Sequence, residues 1–209
     1  MQDRQLVHVI DDDEALRESL AFLLRSAKIG SRLYADASTF LNALGTLDGG
    51  CVVTDVRMPG LSGIDLLKRL RDIKSALPVI VITGHGDVPM AVSALKKGAV
   101  DFIEKPFNDK ELLRVIGECL ERERTTRAQR LREGEAGRRL ASLTEREREV
   151  MDLVLAGKLN KQIADVLNIS IKTVEVHRAR IMDKMAVRTV AELVQAAMPH
   201  RSTKQGAEK

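Results

Sequence analysis

One stretch of 13 residues, CVVTDVRMPGLSG from Cys51 to Gly63, constrains the fold more than any other part of the sequence. Its apolar run predicts a buried strand that ends on one acidic residue, Asp55. A proline and two glycines follow at once, so a tight loop must come next. In open α/β sheets, the carboxyl ends of strands are where ligands and chemistry are found. The stretch therefore predicts a functional carboxylate at one edge of a sheet.

Four further short runs alternate with amphipathic segments over the first 120 or so residues. The runs begin near Leu6, Arg32, Pro78 and Val100. Strands that alternate with helices predict a parallel sheet with helices on both faces. The expected fold of this half is a doubly wound, five-stranded α/β domain.

Acidic residues also close the first predicted strand, Leu6–Ile10, where Asp11 and Asp12 follow. They would lie beside Asp55 if the first and third strands are neighbours. Carboxylates that close repel one another unless a cation lies among them. Oxygen-only ligands with open positions favour Mg²⁺, so the sequence predicts a magnesium site.

Two more side chains would point into the same crevice. Thr83 ends the fourth predicted strand with a hydroxyl, and Lys105 ends the fifth with an ammonium group. Carboxylates, a hydroxyl and a lysine around a small hard cation form a set suited to phosphoryl transfer, with charge neutralisation as the main contribution.

Composition bounds the class of protein. Residues 1–120 hold 15 basic and 17 acidic residues, whereas residues 121–209 hold 19 and 13, so the second half suits contact with nucleic acid. No apolar run is long enough to span a bilayer, and no membrane partner is expected. The two cysteines lack metal-ligand or redox spacing, which favours the reducing cytoplasm.

The second half changes character after a charged stretch. That stretch contains Gly134 and Gly137, which favour a flexible joint after an initial helical part. Thr144 and Glu147 then form a capping box, and the pattern becomes wholly helical. Asn160 is expected to cap a short helix.

A tight turn and a longer helix, Ile171–Met185, follow the short helix, which is the helix-turn-helix arrangement. Glu175 could accept from a cytosine amino group, and Val176 or Ala179 could touch a thymine methyl. The lysines and arginines are better placed for phosphates. The predicted DNA-binding set is Lys161, Lys172, Thr173, Glu175, Val176, Arg178, Ala179, Arg180 and Lys184.

The first half resembles a response-regulator receiver domain, which has the flavodoxin-like fold of CheY. The motifs VIDDD, VVTDVRMPGLSG, VITGHGD and DFIEKPF carry the resemblance, in order and at the expected spacing. It implies that Asp55 is the phosphoacceptor. It also implies Mg²⁺ or Mn²⁺ held by the side chains of Asp12 and Asp55 and by the backbone carbonyl of Arg57, with Asp11 acting through water.

The same resemblance assigns the remaining site residues. Lys105 would pair with the phosphoryl group, and a cis Lys105–Pro106 bond is implied. Thr83 would hydrogen-bond the phosphoryl group and pull on Phe102, the aromatic switch position. Many members of the family carry Tyr at that position.

The helical end, LTEREREVMDLVLAGKLNKQIADVLNISIKTVEVHRARIMDKM, resembles the LuxR-type output domain of the NarL/FixJ class, and the whole chain resembles FixJ-type regulators. The resemblance implies a sensor histidine kinase, promoter DNA and a second copy of the chain as partners, with RNA polymerase as a further candidate. The expected role is phosphoryl acceptance with at most slow autodephosphorylation, not enzymatic turnover of a separate substrate. The expected division is a receiver at 1–122, a helical or flexible linker at 123–141, a DNA-binding domain at 142–200 and a disordered tail at 201–209.

Three other hypotheses stay open at this point. A metal-dependent phosphatase could use Asp55 as its nucleophile, although haloacid-dehalogenase enzymes place a second Asp where Arg57 stands here. The helical end could instead bind protein and never touch DNA. A third possibility is DNA binding that ignores phosphorylation.

Overall fold

The computed structural model describes residues 6–47, 49–84 and 88–201. The chain divides into two compact units, Met1–Arg127 and Ala128–Lys209. The helix cap predicted at Asp87 and residues 202–209 of the predicted tail lie outside the described residues.

The first unit contains a five-stranded parallel sheet in the order β2-β1-β3-β4-β5. The doubly wound α/β fold is therefore confirmed. Its elements are β1 (Leu6–Ile10), α1 (Glu14–Ser26), β2 (Gly30–Tyr34), α2 (Ala37–Ala43), a 3₁₀ turn (Leu44–Thr46), β3 (Cys51–Asp55), α3 (Gly63–Asp72), β4 (Val79–Thr83), α4 (Val88–Lys96), β5 (Asp101–Glu104) and the start of α5 (Asp109–Ala141).

Two apolar cores cover the two faces of this sheet. One joins side chains of α2, α3 and α4 to the sheet, as Phe40, Leu67 and Ala94 illustrate. The other joins α1 and α5 to the opposite face, as Leu24 and Ile116 illustrate. Since consecutive strand residues point to opposite faces, β1 and β3 supply both cores and read as continuous apolar runs.

Local capping accounts for several helix starts in this unit. Asp13 accepts hydrogen bonds from the backbone N–H groups of Ala15 and Leu16 at the start of α1, as an N-cap carboxylate should.

Strand β2 begins at Gly30, two residues before the predicted start, because it pairs with β1 from Leu6 onward. Pairing with a neighbour, which the local pattern does not contain, decides that boundary.

A small aromatic cluster lies within the first core. The phenol of Tyr34 is 3.5 Å from Nδ1 of His8, and its ring meets Phe40 edge-on. Nε2 of His8 is 3.1 Å from the carbonyl oxygen of Gly49. Burial is the main cause that lowers the pKa of His8, so the imidazole is neutral at neutral pH.

Helix α5 corrects the expectation of a flexible joint, because it continues through Gly134 and Gly137. Each glycine costs a helix about 1 kcal/mol relative to alanine. The surrounding residues offset this cost, since they are mostly strong helix formers and pair along the helix. Examples of these pairs are Arg124–Glu121 and Arg139–Glu135.

The second unit packs the end of α5 with α6 (Glu145–Leu155), α7 (Asn160–Leu167), α8 (Ile171–Met185) and α9 (Val190–Arg201) around one aliphatic core. The capping box of Thr144 and Glu147 is confirmed. Helix α9 extends through Arg201, so the predicted tail does not begin at that residue. The small all-α domain expected here is confirmed.

Candidate functional site

The carboxyl edge of the sheet brings together Asp11, Asp55 and Lys105. Asp55 ends β3 and Asp11 follows the neighbouring β1, so parallel pairing places both carboxylates at one edge. Nζ of Lys105 lies 2.6 Å from Oδ1 of Asp55 and 3.3 Å from Oδ2 of Asp11. The convergence that the sequence predicted for these three side chains is present.

The other oxygen of each carboxylate accepts a hydrogen bond from a backbone N–H two residues further along the chain. Oδ1 of Asp11 accepts the backbone N–H of Asp13 at 2.9 Å, and Oδ2 of Asp55 accepts that of Arg57 at 2.7 Å. Only 2% of Asp11 and 8% of Asp55 are exposed. The loop backbone therefore orients both groups, and one oxygen of each faces the ammonium group.

Burial dominates the ionisation of Asp11. It raises the pKa of that carboxyl, and the charge of Asp55 adds to the effect, while the Asp13 N–H and Lys105 oppose it. Burial lowers the pKa of Lys105, but the hydrogen bond and charge of Asp55, together with Asp11, outweigh burial and leave this pKa raised. The lysine therefore stays charged and balances the two acids.

Asp12 departs from the expected cluster of three carboxylates. It is exposed, and no group of three Asp, Glu, His or Cys side chains in the described ranges is placed to hold a metal. Parallel pairing places Asp12 at the same edge of the sheet as Asp55, but its side chain remains exposed to solvent. The donors present still suit a small hard cation, because buried carboxylate oxygens already converge on one positive group.

Thr83 and Phe102 lie on the neighbouring strands. Thr83 is buried at the end of β4, and its hydroxyl donates only a long hydrogen bond, 3.4 Å, to the carbonyl of Gly84. Phe102 is partly buried on β5 and packs against the core shared with α4. The peptide bond between Lys105 and Pro106 is cis, as the resemblance implied.

The second unit contains the expected helix-turn-helix, formed by α7, a turn and α8. Asn168 ends α7 in the left-handed conformation, with φ 50° and ψ 54°, and Ser170 caps α8. The prediction that Asn160 caps α7 is wrong by one residue. Leu159 holds that position, because the side chain of Gln162 accepts its backbone N–H.

Helix α8 has one buried and one exposed face. Val174, Ile181 and Met185 are buried in the core. Some charged side chains form no hydrogen bond or ion pair with any part of the chain that the structure describes. They are Lys161, Lys172, Glu175 and Arg180. The residues of the predicted DNA-binding set that are exposed on α7 and α8 are Lys161, Lys172, Glu175, Val176, Ala179 and Arg180.

The other three predicted DNA contacts, Thr173, Arg178 and Lys184, are partly buried. The hydroxyl of Thr173 is 2.8 Å from that of Ser170, and Arg178 is partly buried beside an open cleft of about 460 Å³. Lys184 is held by Glu147 at 2.6 Å, so its ammonium is engaged within the domain. The pair with Glu147 escaped the sequence analysis because 37 residues separate the partners and no strand-end rule relates them.

Two family models match the two units of the chain. Residues 7–117 match the family model "Response regulator receiver domain", and residues 141–197 match "Bacterial regulatory proteins, luxR family". The chain belongs to the response regulators of the NarL/FixJ class. It joins a receiver to a LuxR-type DNA-binding domain and is a transcriptional regulator, and regulators of this type are transcription factors rather than enzymes.

Relatives of this response regulator span nearly its full length. The transcriptional regulatory protein FixJ of Bradyrhizobium diazoefficiens is 50% identical over 92% of this chain and 94% of the relative. The response regulator protein TodT of Pseudomonas putida is 44% identical over 93% of this chain and 86% of TodT.

Solved structures give the same picture of this response regulator. That of the response regulator StyR has a TM-score of 0.87 and 42% identity, covering 94% of this chain and 99% of StyR. Full-length FixJ from B. japonicum has a TM-score of 0.58 and 49% identity, covering 93% of this chain and 96% of FixJ. Among the described helices, none combines the length and apolarity needed to cross a membrane.

Proposed function

We propose that Asp55 accepts a phosphoryl group from a sensor histidine kinase. A carboxylate oxygen of Asp55 attacks phosphorus, and the bond from phosphorus to the kinase's histidine nitrogen breaks as the new P–O bond forms. The observation that carries this proposal is the buried Asp55 carboxylate, with the Lys105 ammonium 2.6 Å from Oδ1. An ammonium in that position neutralises charge that would otherwise repel the incoming phosphate.

Receiver domains generally bind Mg²⁺ at the phosphorylation site. In this chain we assign the metal to the side chains of Asp12 and Asp55 and the backbone carbonyl of Arg57, with Asp11 acting through water; Mn²⁺ could replace Mg²⁺. The metal would supply charge neutralisation at the phosphoryl oxygens. The carboxylates of Asp11 and Asp55, which already share one cationic partner, support this assignment.

The residues around Asp55 then respond to the added charge, which is close to two units. Lys105 pairs with the phosphoryl group, and the Thr83 hydroxyl exchanges its long bond to Gly84 for a phosphoryl oxygen. Movement of Thr83 draws in Phe102. Hydrolysis of the phosphoryl group by the receiver itself is slow, so the modification persists long enough to act.

The modified receiver forms a homodimer through the face made by α4, β5 and α5. Three apolar side chains at this face support the proposal. Val92 and Leu95 on α4, and Val100 before β5, are 43%, 40% and 40% exposed. Burial of such side chains between two copies would stabilise the dimer.

The DNA-binding domain uses α8 in the major groove of promoter DNA. Glu175, Val176 and Ala179 contact base edges, and Thr173 lies beside them. Phosphates are contacted by Lys161, Lys172, Arg178 and Arg180. Three of these cations support the assignment, because Lys161, Lys172 and Arg180 are exposed and have no ion-pair partner among the described residues.

The boundaries that we assign are a receiver at 1–122, a helical connection at 123–141 and a DNA-binding domain at 142–200. A promoter-binding regulator of this class acts in the cytoplasm, where the chromosome and RNA polymerase are available as partners.

The experiment is phosphotransfer followed by DNA binding in the same samples. The wild-type chain should accept label from a phosphorylated histidine kinase and bind selected DNA more tightly afterwards. Asp55→Asn should accept no label and lose the increase in affinity, and Asp65→Asn, which alters an exposed carboxylate on α3, is the matched control. Full labelling of the Asp55→Asn chain would overturn the proposal.

A further inference from the structure

Lys184 occupies the last turn of α8, yet its ammonium is turned toward the domain itself. Nζ lies 2.6 Å from Oε2 of Glu147 on α6 and 3.2 Å from the carbonyl oxygen of Ser142. Lysines that contact phosphates need a free ammonium group. Two acceptors already hold this one in a fixed place.

Glu147 is built to hold that lysine. Its side chain is 4% exposed, and Oε2 also accepts the backbone N–H of Thr144 at 2.9 Å. The hydrogen bond from Lys184 is the main cause that lowers the pKa of Glu147 to about 2, with the Thr144 N–H second. The carboxylate is therefore charged at neutral pH and cannot reach a DNA surface.

A second contact holds the turn that precedes α8. Nη2 of Arg146 donates to the carbonyl oxygen of Leu167, the last residue of α7, at 2.6 Å. Arg146 and Glu147 are adjacent on α6, so neighbouring residues hold the turn before α8 and the last turn of α8. Apolar side chains tolerate small rotations of a packed helix, whereas a short ion pair has a narrow geometry.

We infer that Lys184 and Glu147 form a positioning pair that fixes the rotation of α8, and that Lys184 is not a phosphate contact. This inference rests on the proposed DNA contacts of α8. Lys184 lies about 120° around the helix axis from Lys172, which is exposed and has no partner within the described ranges. Loss of the pair would let α8 rotate and misalign the side chains that read base edges.

The test measures the full-length chain on two probes. One is a duplex that the wild-type protein selects from a random library, and the other is the same duplex with its sequence scrambled. Each affinity is measured across a range of salt, because every phosphate contact adds about 0.9 to the slope of log affinity against log salt.

Glu147→Gln is the decisive variant, since it removes the ion pair at a buried site that DNA cannot touch. We expect about a tenfold loss of affinity for the selected duplex, equal to about 1.4 kcal/mol. Affinity for the scrambled duplex and the salt slope should stay unchanged. Lys184→Met should behave in the same way, and Lys184→Arg, which keeps the charge, should restore discrimination.

Lys161→Met is the matched control, because Lys161 is exposed and proposed to contact a phosphate. It should weaken binding to both duplexes and lower the salt slope by about 0.9. Circular dichroism verifies folding, and Glu147→Gln with Lys184→Arg carries the test if Lys184→Met does not fold.

Two results would overturn the inference. One is a Lys184→Met chain that loses affinity for both duplexes with a smaller slope, as a phosphate contact requires. The other is Glu147→Gln with unchanged discrimination. A wild-type chain that selects no DNA would overturn the proposed DNA contacts and this inference together. If the wild type does select DNA, either of the two results above overturns this inference alone, so the two failures are distinguishable.

Discussion

Lys105 shares one ammonium group between two carboxylates of the first unit. Asp55 and Asp11 lie 2.6 and 3.3 Å from Nζ, and both are buried. Removing one partner of such a group leaves uncompensated charge, which costs far more than the intact pair contributes. The stability of the receiver therefore depends on a cation at this place, whether it belongs to the protein or to the solution.

Lys105→Met should lower the free energy of unfolding by about 2 kcal/mol, less than a fully buried pair would cost because the lysine is 31% exposed. Excess Mg²⁺ should recover most of this loss, since the metal replaces the missing charge. Urea unfolding with a chelator and then with Mg²⁺ measures both effects. Lys110→Met, at an exposed lysine, is the control, and a Lys105→Met chain as stable as the wild type would contradict the prediction.

Glu147 makes a prediction about pH. Its pKa is about 2 in the folded protein and 4.5 for the unperturbed group, so the unfolded chain binds a proton first as pH falls. The stabilisation is therefore fully present above pH 4.5 and is lost as pH falls toward 2. Glu147→Gln should cost about 2 kcal/mol at pH 7, where its carboxylate accepts charge-assisted bonds.

The difference in unfolding free energy between the wild type and Glu147→Gln should shrink steadily as the solution is acidified below pH 4.5. Urea unfolding of both full-length chains at several pH values measures it, and the subtraction removes the contribution of other carboxylates. A difference that stays constant down to pH 3 would show that the pair does not lower this pKa.

At the scale of the element, the loop after β3 depends on one close approach. A Cβ on Gly63, at the first residue of α3, would collide with the backbone carbonyl oxygen of Asp55. The backbone N–H of Gly63 also donates to the carbonyl of Val56 at 3.0 Å. Helix α3 can therefore begin this close to Asp55 only if its first residue is glycine.

Gly63→Ala should destabilise the receiver by about 2 kcal/mol and slow phosphorylation of Asp55, because backbone must move to relieve the overlap. Gly117→Ala is the matched control. No atom lies within 4 Å of a Cβ at that position on α5, so the change should stabilise the chain by about 0.5–1 kcal/mol. Thermal melts and labelling rates of the two variants measure both effects, and equal behaviour would contradict the argument.

The elements were predictable where their causes are local. The caps at Asp13 and Thr144 follow from side chains that bond the next few backbone N–H groups. A boundary set by a distant partner was not predictable, as the start of β2 at Gly30 illustrates. The unbroken α5 was missed for another reason, because the prediction gave Gly134 and Gly137 more weight than the helix formers around them.

The site residues also separate into those that the sequence could predict and those that it could not. The meeting of Asp11, Asp55 and Lys105 follows from parallel strands that end at one edge. The exposure of Asp12 and the engagement of Lys184 depend on side-chain packing between distant segments, which no short motif encodes.

At the scale of the whole molecule, the proposed output depends on association of two chains. Leu95→Glu would place a charge among the exposed apolar side chains of α4 and oppose burial of that face. We expect the variant to accept label normally but to remain monomeric when a phosphoryl mimic is bound. Sedimentation of the wild type and the variant measures this, with Phe22→Glu, at an exposed side chain on α1, as the control.

A dimer formed equally well by Leu95→Glu and by the wild type would place the interface elsewhere on the receiver. A Phe22→Glu chain that alone fails to dimerise would assign the interface to α1. The labelling step separates either result from a failure of phosphoryl transfer.

The aromatic cluster of His8, Tyr34 and Phe40, on β1, β2 and α2, has a practical use. The chain contains one tyrosine and no tryptophan, so Tyr34 is its sole strong intrinsic fluorophore. Tyr34 ends β2 and its phenol is 3.5 Å from Nδ1 of His8, so its emission reports on the sheet of the first unit. A tryptophan introduced near α8 could be excited selectively, because the chain has no other tryptophan. Tyrosine and tryptophan emission would then follow the unfolding of the first and second units in the same sample.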